Sequence, residues 1–133
     1  RLNQVTVTLP DLDAGWSFYL GLGLDPVVDA RPRYVRLLCP DGGSTLSLHR
    51  GERAGGGTTV YFECDDLDAV AEQLARSGIH FEHGPQNQPW MWREARLTDP
   101  AGNIIFLYKA GEARRFPPWR MRDNEKEAQA TGE

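Results

Sequence analysis

The chain has 133 residues, a formal net charge of −4 and a hydrophobic content of 40%. This length suits one domain that buries well over half of its unfolded surface, so we expect a hydrophobic core. The acidic balance and the scattered arginines argue against a nucleic-acid partner, because duplex binding needs clustered cations.

The N-terminal part predicts one strand, one helix and three further strands. Residues 4–9 alternate apolar and polar side chains, which is typical of a half-buried strand. Asp11 is placed to cap the helix that follows, and the stretch from Gly21 to Gly23 ends it. The turn Pro-Asp-Gly-Gly at residues 40–43 joins the last two strands into a hairpin. The predicted strands are residues 4–9, 24–28, 34–39 and 45–49.

The same unit occurs a second time, at an offset of 55 residues. Asp-Leu-Asp-Ala at residues 66–69 repeats the identical quartet at residues 11–14, and Gly78 repeats Gly23. We therefore predict two βαβββ modules. The second helix is predicted to be capped by Asp66. The second set of predicted strands is residues 59–64, 79–83, 94–99 and 104–109.

The predicted organisation is one domain at residues 1–110, made of modules at residues 2–50 and 58–109, with a flexible glycine-rich connection at residues 51–57. Residues 111–133 are rich in Arg, Pro and Glu. This composition predicts a C-terminal arm followed by a disordered tail.

Cys39 and Cys64 are the only cysteines. Two cysteines are too few for a disulfide framework, so we expect reduced thiols. The sequence also lacks a long apolar run and a signal-peptide pattern. These features predict a cytoplasmic protein without a membrane partner.

The duplicated βαβββ pattern, with Asp-Leu-Asp-Ala after the first strand of each module, resembles the vicinal oxygen chelate superfamily. The turn Thr-Asp-Pro-Ala-Gly-Asn at residues 98–103 adds to the resemblance, which covers residues 2–109. That superfamily includes glyoxalase I, extradiol dioxygenases, fosfomycin-modifying enzymes and bleomycin-resistance proteins. The resemblance implies an α+β fold whose two modules form a curved mixed sheet around a cleft, commonly completed in a homodimer. It is specific for the fold and much less so for the activity.

The alternation of each strand assigns one set of side chains to the inner face of that cleft, where they are candidates to contact a ligand. These are Gln4, Thr6, Thr8, Tyr34, Arg36, Thr45, Ser47, His49, Thr59, Tyr61, Glu63, Glu94, Arg96, Ile104, Phe106 and Tyr108.

Metal-using members of the superfamily place His, Gln or Glu ligands on the first and last strands of each module. In this sequence the matching positions are Gln4, Ser47, Thr59 and Phe106. A phenyl ring offers no donor, and an amide with two hydroxyls supplies no negative charge to a divalent ion. We therefore predict a metal-independent protein without a cofactor, which lacks the Lewis-acid or redox chemistry of those members.

Acid-base chemistry without a metal needs other side chains. His49 and Glu63 are the candidates if they share the cleft. A surface histidine is the favoured explanation of His49, and a solvated strand end explains Glu63 equally well. Cys39 and Cys64 alternate towards the helix side of their strands, so packing explains them better than nucleophilic catalysis.

Arg36 and Arg96 occupy equivalent positions in the two modules. Two inner-face arginines can bind a carboxylate or another anion in a bidentate way. Cross-strand pairing with Glu94 or Glu63 is an equal alternative.

The segment at residues 83–93, His-Gly-Pro-Gln-Asn-Gln-Pro-Trp-Met-Trp-Arg, is the most unusual loop in the chain. Trp90 and Trp92 can stack on a planar ligand. The alternative is that they seal a dimer interface, where Trp and Met are also enriched.

Together these features predict a protein that binds a small aromatic or anionic molecule in its cleft and sequesters it, like the bleomycin-resistance proteins that it resembles. Its predicted partners are this small-molecule ligand and a second copy of the chain. The predicted ligand-binding residues are Gln4, Arg36, Ser47, Thr59, Tyr61, Trp90, Trp92, Arg96, Phe106 and Tyr108. Three alternatives stay open: a glyoxalase- or dioxygenase-type metalloenzyme, a metal-free lyase or isomerase that uses His49 and Glu63, and an accessory interaction protein with a vestigial cleft.

Overall fold

The computed structural model describes residues 1–52, 58–121 and 123–130, so most of the glycine-rich connection lies outside the described residues. Its strands are β1 (Gln4–Leu9), β2 (Asp25–Ala30), β3 (Tyr34–Leu38), β4 (Thr45–Arg50), β5 (Thr59–Glu63), β6 (His83–Asn87), β7 (Arg93–Thr98) and β8 (Ile104–Lys109). Its helices are α1 (Leu12–Leu22), α2 (Leu67–Arg76) and α3 (Asp123–Ala130). Within these residues, no helix is both long enough and apolar enough to span a bilayer.

The strands of the described residues form two four-stranded sheets with the same internal order. The first sheet is β1-β4-β3-β2 and the second is β5-β8-β7-β6. In each sheet the first strand of the module runs parallel to its last strand, and the other pairs are antiparallel. The matching order confirms the two βαβββ modules and the α+β fold.

Each sheet buries one face because apolar side chains recur at every second position of its strands. Val35 and Leu37 on β3 are fully buried, as is Leu48 on β4. Helix α1 packs against both of these strands. On the opposite face of β3, Tyr34 and Arg36 are only partly buried.

The two module helices begin in different ways although their sequences repeat. Asp11 caps α1, since its Oδ1 accepts hydrogen bonds from the N–H groups of Asp13 and Ala14 at 3.0 and 3.1 Å. Asp66 precedes α2 at the same position, but its side chain makes no capping hydrogen bond, so the second predicted cap is wrong. The backbone gives the reason: ψ is 56° at Asp66 and 100° at Asp11, and only the extended value is typical of a capping residue.

Strand β6 differs most from the prediction. The sequence predicts a strand over residues 79–83, but the strand spans His83–Asn87. Ile79 and Phe81 are partly buried against the core. The N–H of Ile79 also donates to the carbonyl of Leu74 in α2 at 3.0 Å. Residues 79–82 therefore follow directly on the end of α2, and strand pairing with β7 begins at His83.

The C-terminal segment follows the second module. It contains a 3-10 turn at Gly111–Ala113 and helix α3, where the composition predicts a disordered tail. Helix α3 carries no large apolar side chain, and Lys126 pairs with Asp123 at 3.9 Å along its surface. Phe116 and Trp119 in the arm are more than half exposed. The arm therefore leaves these two aromatic side chains largely in solvent.

A buried polar network joins the two modules. The hydroxyl of Tyr19, on α1, donates to Oδ2 of Asp99 at 2.7 Å, and Asp99 also accepts from the backbone and side chain of Asn103. Nδ2 of Asn103 donates in addition to the backbone carbonyl of Thr8, on β1, at 3.2 Å. Burial, together with the Asp99 carboxylate, raises the pKa of Tyr19. The Asp-Pro-Ala-Gly-Asn turn of the second module therefore binds the first module directly.

Candidate functional site

The strand register shows which side chains lie together on the free face of each sheet. On the first sheet, Ser47 pairs with Thr6 on β1 and with Arg36 on β3. Two residues away on each of these strands, His49 on β4 pairs with Tyr34 on β3. We define the polar face as Gln4, Thr6, Thr8, Tyr34, Arg36, Thr45, Ser47 and His49. We define the aromatic face, on the second sheet, as Tyr61, Trp92, Phe106 and Tyr108.

Tyr34 is at the centre of the hydrogen bonds on the polar face. Its hydroxyl lies 2.8 Å from Oγ of the fully buried Ser47 and accepts from Nε of Arg36 at 2.9 Å. The hydrogen bond with Ser47 lowers the pKa of Tyr34, and Arg36 lowers it further. The alternation of the sequence places Tyr34 on this face, but no motif marks it as chemically special. Its partners become visible only when β3 and β4 are paired.

The two equivalent arginines have different partners. Nε of Arg96 lies 2.6 Å from Oε2 of Glu82, so these side chains form an ion pair. The partner is neither Glu94 nor Glu63, because the backbone N–H of Glu82 donates to the carbonyl of Arg96 and brings the two residues together. Arg36 has no carboxylate within ion-pair distance among the residues that the structure describes.

On the aromatic face, each of the four rings contacts at least one of the others. Tyr61 stacks on Phe106 with ring centroids 5.0 Å apart. Trp92 stacks on Tyr108 at 4.9 Å, and Tyr61 meets both of these rings edge-on. Tyr61 is 47% exposed. Burial is the main cause that raises the pKa of Tyr61 and of Tyr108, so both phenols stay neutral at ordinary pH.

The turn between β6 and β7 separates the two tryptophans of the unusual loop. Met91, between them, has a φ of 69°, and its N–H donates to the carbonyl of Gln88. Trp92 joins the aromatic face, whereas the indole N–H of Trp90 donates to Oε1 of Glu94 at 2.9 Å. Glu94 is only 3% exposed. Trp90 therefore satisfies a buried carboxylate and has no ring contact with the aromatic face.

The sequence matches the model of one known protein family. The family model of the Glyoxalase/Bleomycin resistance protein/Dioxygenase superfamily matches residues 1–107. The chain belongs to this superfamily, also called the vicinal oxygen chelate superfamily. No curated protein matches the sequence.

Solved structures of superfamily proteins have the same fold. Lactoylglutathione lyase from Agrobacterium tumefaciens is 23% identical with a TM-score of 0.73, over 87% of this chain and 97% of that one. A glyoxalase/bleomycin resistance protein/dioxygenase from Nocardioides is 21% identical with a TM-score of 0.74, over 92% and 89%. A bleomycin-binding protein complexed with bleomycin is 22% identical with a TM-score of 0.70, over 82% and 97%. Identities this low show a shared fold alone.

The positions that hold the metal in chelating superfamily members do not fit a divalent ion here. Oε1 of Gln4 accepts a hydrogen bond from Thr45 at 2.8 Å, and Ser47 is fully buried. Thr59 offers a hydroxyl and Phe106 offers only a ring. In the described part of the chain, no three His, Cys, Asp or Glu residues are grouped so as to hold a metal. This donor set lacks the imidazole and carboxylate ligands that such ions prefer.

His49 and Glu63, the candidate acid-base pair, lie on different sheets. His49 pairs with Tyr34 on the first sheet, and Glu63 pairs with Tyr108 on the second. Both candidate residues are exposed. Among the described residues, no hydrogen bond or ion pair joins them, so one chain does not gather them into a common site.

A groove of about 740 Å³ is lined by residues of both modules, including side chains of α1 and α2. Its walls are mainly apolar and include Val5, Leu22, Val60, Phe62, Leu74 and Leu107. Cys39 and Cys64 also line it, and burial raises the pKa of both thiols, which favours packing over nucleophilic chemistry. Gln4 and Tyr61 border the groove as well. The polar face and the aromatic face lie on different sheets.

Proposed function

We propose that this protein binds and sequesters a small organic molecule that has a planar aromatic part. The aromatic face carries the proposal, because it gathers four mutually contacting rings on one face of the second sheet. Tyr61 is exposed, Trp92 and Phe106 are partly exposed, and a contiguous exposed aromatic patch of this kind is typical of a binding surface. A planar ligand that stacks there gains about 0.5–1.5 kcal/mol per ring pair beyond the burial of its apolar area.

The ligand cleft is completed in a homodimer under this proposal. In one chain Tyr61 of the aromatic face is 47% exposed, and the polar face of a second copy would supply a cover of complementary chemistry. The bleomycin-binding protein complexed with bleomycin supports the proposal, since this fold there holds an organic molecule. Binding is proposed to be independent of metal, because the residues at the superfamily's metal positions do not fit an ion.

Replacement of Trp92 by alanine tests the aromatic face. The probe is 2-naphthamide, compared with its fully saturated analogue, in titrations followed by two-dimensional NMR. We expect the naphthamide to shift the indole N–H resonance of Trp92. We expect Trp92→Ala to bind it about tenfold more weakly, because the loss of one strong stacking contact corresponds to ~1.4 kcal/mol.

Trp119→Ala is the matched control, because Trp119 is 59% exposed in the C-terminal arm and has no ring contact with the aromatic face. It is expected to bind the naphthamide like the unaltered protein. Equal binding of the aromatic and the saturated amide would contradict the proposal. Normal naphthamide binding by Trp92→Ala would also contradict it. No shift with the naphthamide, together with loss of the dimer of Trp92→Ala in sedimentation, would favour an interaction protein instead.

A second candidate function is a metal-free lyase or isomerase, and the geometry of Tyr34 favours it. The hydroxyl of Tyr34 is held by Ser47 and Arg36, so its ionised form is stabilised and can accept a proton from carbon. Pyruvate is a simple test substrate, because a base in contact with its methyl group exchanges the methyl protons with D₂O. We expect Tyr34→Phe to abolish any catalysed exchange seen by proton NMR. Exchange no faster than in buffer would argue against this candidate.

A further inference from the structure

The guanidinium of Arg36 is held on one side and free on the other. Its Nε donates to the hydroxyl of Tyr34 at 2.9 Å, and Tyr34 is held in turn by the fully buried Ser47. In the described part of the chain, Nη1 and Nη2 of Arg36 have no hydrogen-bond partner. The half-buried side chain therefore presents two parallel N–H donors from a fixed position.

The second module shows that the fold does not require this arrangement. There the equivalent arginine, Arg96, is neutralised by Glu82 at 2.6 Å. Arg96 pairs across the strands with His83, and Glu82 is the next residue along the chain. Arg36 pairs instead with Val28, and the acid next to Val28 in the chain, Asp29, is bound to Arg31. The same backbone position thus carries an arginine paired with an acid in one module and, among the described residues, an arginine without an acidic partner in the other.

The charge around Arg36 favours an anion. None of the side chains of the polar face is acidic, although the chain as a whole has a net charge of −4. Arg31, elsewhere in the first module, is bound by Asp13 and Asp29. A partly buried charge normally has a counter-charge, because removal from water is unfavourable without one. A bound anion would supply the counter-charge that the polar face lacks.

We infer that Arg36, positioned by Tyr34, binds a carboxylate of the ligand, which makes the ligand an aromatic acid. The inference rests on the proposed function, which supplies the aromatic part. Nη1 and Nη2 each donate to one carboxylate oxygen, a bidentate geometry that a neutral amide cannot reproduce. In the dimer, the ring lies on the aromatic face of one copy and the carboxylate on the polar face of the other.

The test pair is 2-naphthoate and 2-naphthamide, because they have the same ring and differ in charge. At pH 7 and constant ionic strength, the unaltered protein is expected to bind the naphthoate about tenfold more tightly than the naphthamide. This difference corresponds to one charge-assisted bidentate contact. Arg36→Gln is expected to bind the acid and the amide equally. Arg36→Lys is expected to keep part of the preference, since an ammonium group is charged but not bidentate. Arg76→Gln is the control, because it removes the same charge from the exposed Arg76–Glu72 pair of α2 and is expected to keep the whole preference.

The side-chain N–H resonance of Arg36 supplies a readout that does not depend on the aromatic face. Sodium acetate is expected to shift it, and acetamide is not. If acetate shifts the Arg36 resonance but naphthamide does not bind, the proposed function is refuted and the carboxylate site is supported. Equal binding of naphthoate and naphthamide, or a preference that survives Arg36→Gln, would overturn the carboxylate site alone. Dissociation of the dimer in Arg36→Gln with an unchanged preference would also overturn it, because Arg36 would then pair with a carboxylate of the second copy.

Discussion

Single side chains at repeated positions have different roles in the two modules. Asp11 accepts hydrogen bonds from two backbone N–H groups of its helix, whereas the side chain of Asp66 accepts none. Arg36 presents free donors, whereas Arg96 is bound to Glu82. The role depends on a local backbone angle in the first case and on a residue that precedes the adjacent strand in the second. Sequence equivalence alone therefore does not establish equivalent chemistry.

The two aspartates give a direct test at this scale. Asp11→Ala is expected to lower the free energy of unfolding by about 1 kcal/mol, because the first turn of α1 loses its acceptor. Asp66→Ala is expected to change it by no more than ~0.5 kcal/mol. Urea unfolding followed by circular dichroism measures both. Equal losses would mean that Asp66 caps α2 in solution after all.

Among the strands and helices, alternation of apolar and polar residues predicts some strand bounds correctly and others not. Strands β1 and β8 have the predicted bounds, Gln4–Leu9 and Ile104–Lys109. Residues 79–83 show similar alternation, but Ile79 and Phe81 pack against the core beside the end of α2. Alternation shows which side chains are buried, and it does not show which element buries them.

The same limit applies to the candidate site. Alternation correctly places Tyr61, Phe106 and Tyr108 side by side on one face. It does not distinguish Trp92, which joins them, from Trp90, which binds the buried Glu94. That difference arises in the tight turn between β6 and β7, where the positive φ of the intervening residue redirects the chain.

At the scale of the whole molecule, one buried hydrogen bond connects distant parts of the chain. Tyr19 on α1 and Asp99 in the turn before β8 are joined at 2.7 Å. Both are buried, so loss of one partner leaves a polar group of the other without its hydrogen bond. The turn that first indicated the superfamily is thus also a contact between the modules.

Tyr19→Phe is expected to lower the free energy of unfolding at pH 7 by about 1–3 kcal/mol, because Asp99 loses a buried donor. The substitution is also expected to change how the free energy of unfolding depends on pH above pH 10. The pKa of Tyr19 is raised in the folded protein, so above the unfolded value of about 10 the unfolded chain releases a proton that the folded chain retains. The stability that Tyr19 contributes is therefore complete below pH 10 and is lost as the pH rises further.

Urea unfolding at a series of alkaline pH values measures this effect. The stability of Tyr19→Phe is expected to fall less steeply above pH 10 than that of the unaltered protein. Tyr61 and Tyr108 leave a residual slope, because their pKa values are raised as well. An identical slope in both proteins would show that Tyr19 is not a buried phenol in solution.

The two-module fold and the assignment of side chains to the two faces of each sheet can be predicted from the amino-acid sequence, because both follow from a repeat and from periodicity along the chain. It also showed that the residues at the superfamily's metal positions are poor ligands, since this depends only on residue type. The folded chain is needed to show that Arg96 is neutralised and that Arg36 has no acidic partner among the described residues. It is also needed to show that Tyr34 is held between Arg36 and Ser47. These partners come from neighbouring strands and turns, so they depend on strand register and backbone angles that no local pattern specifies.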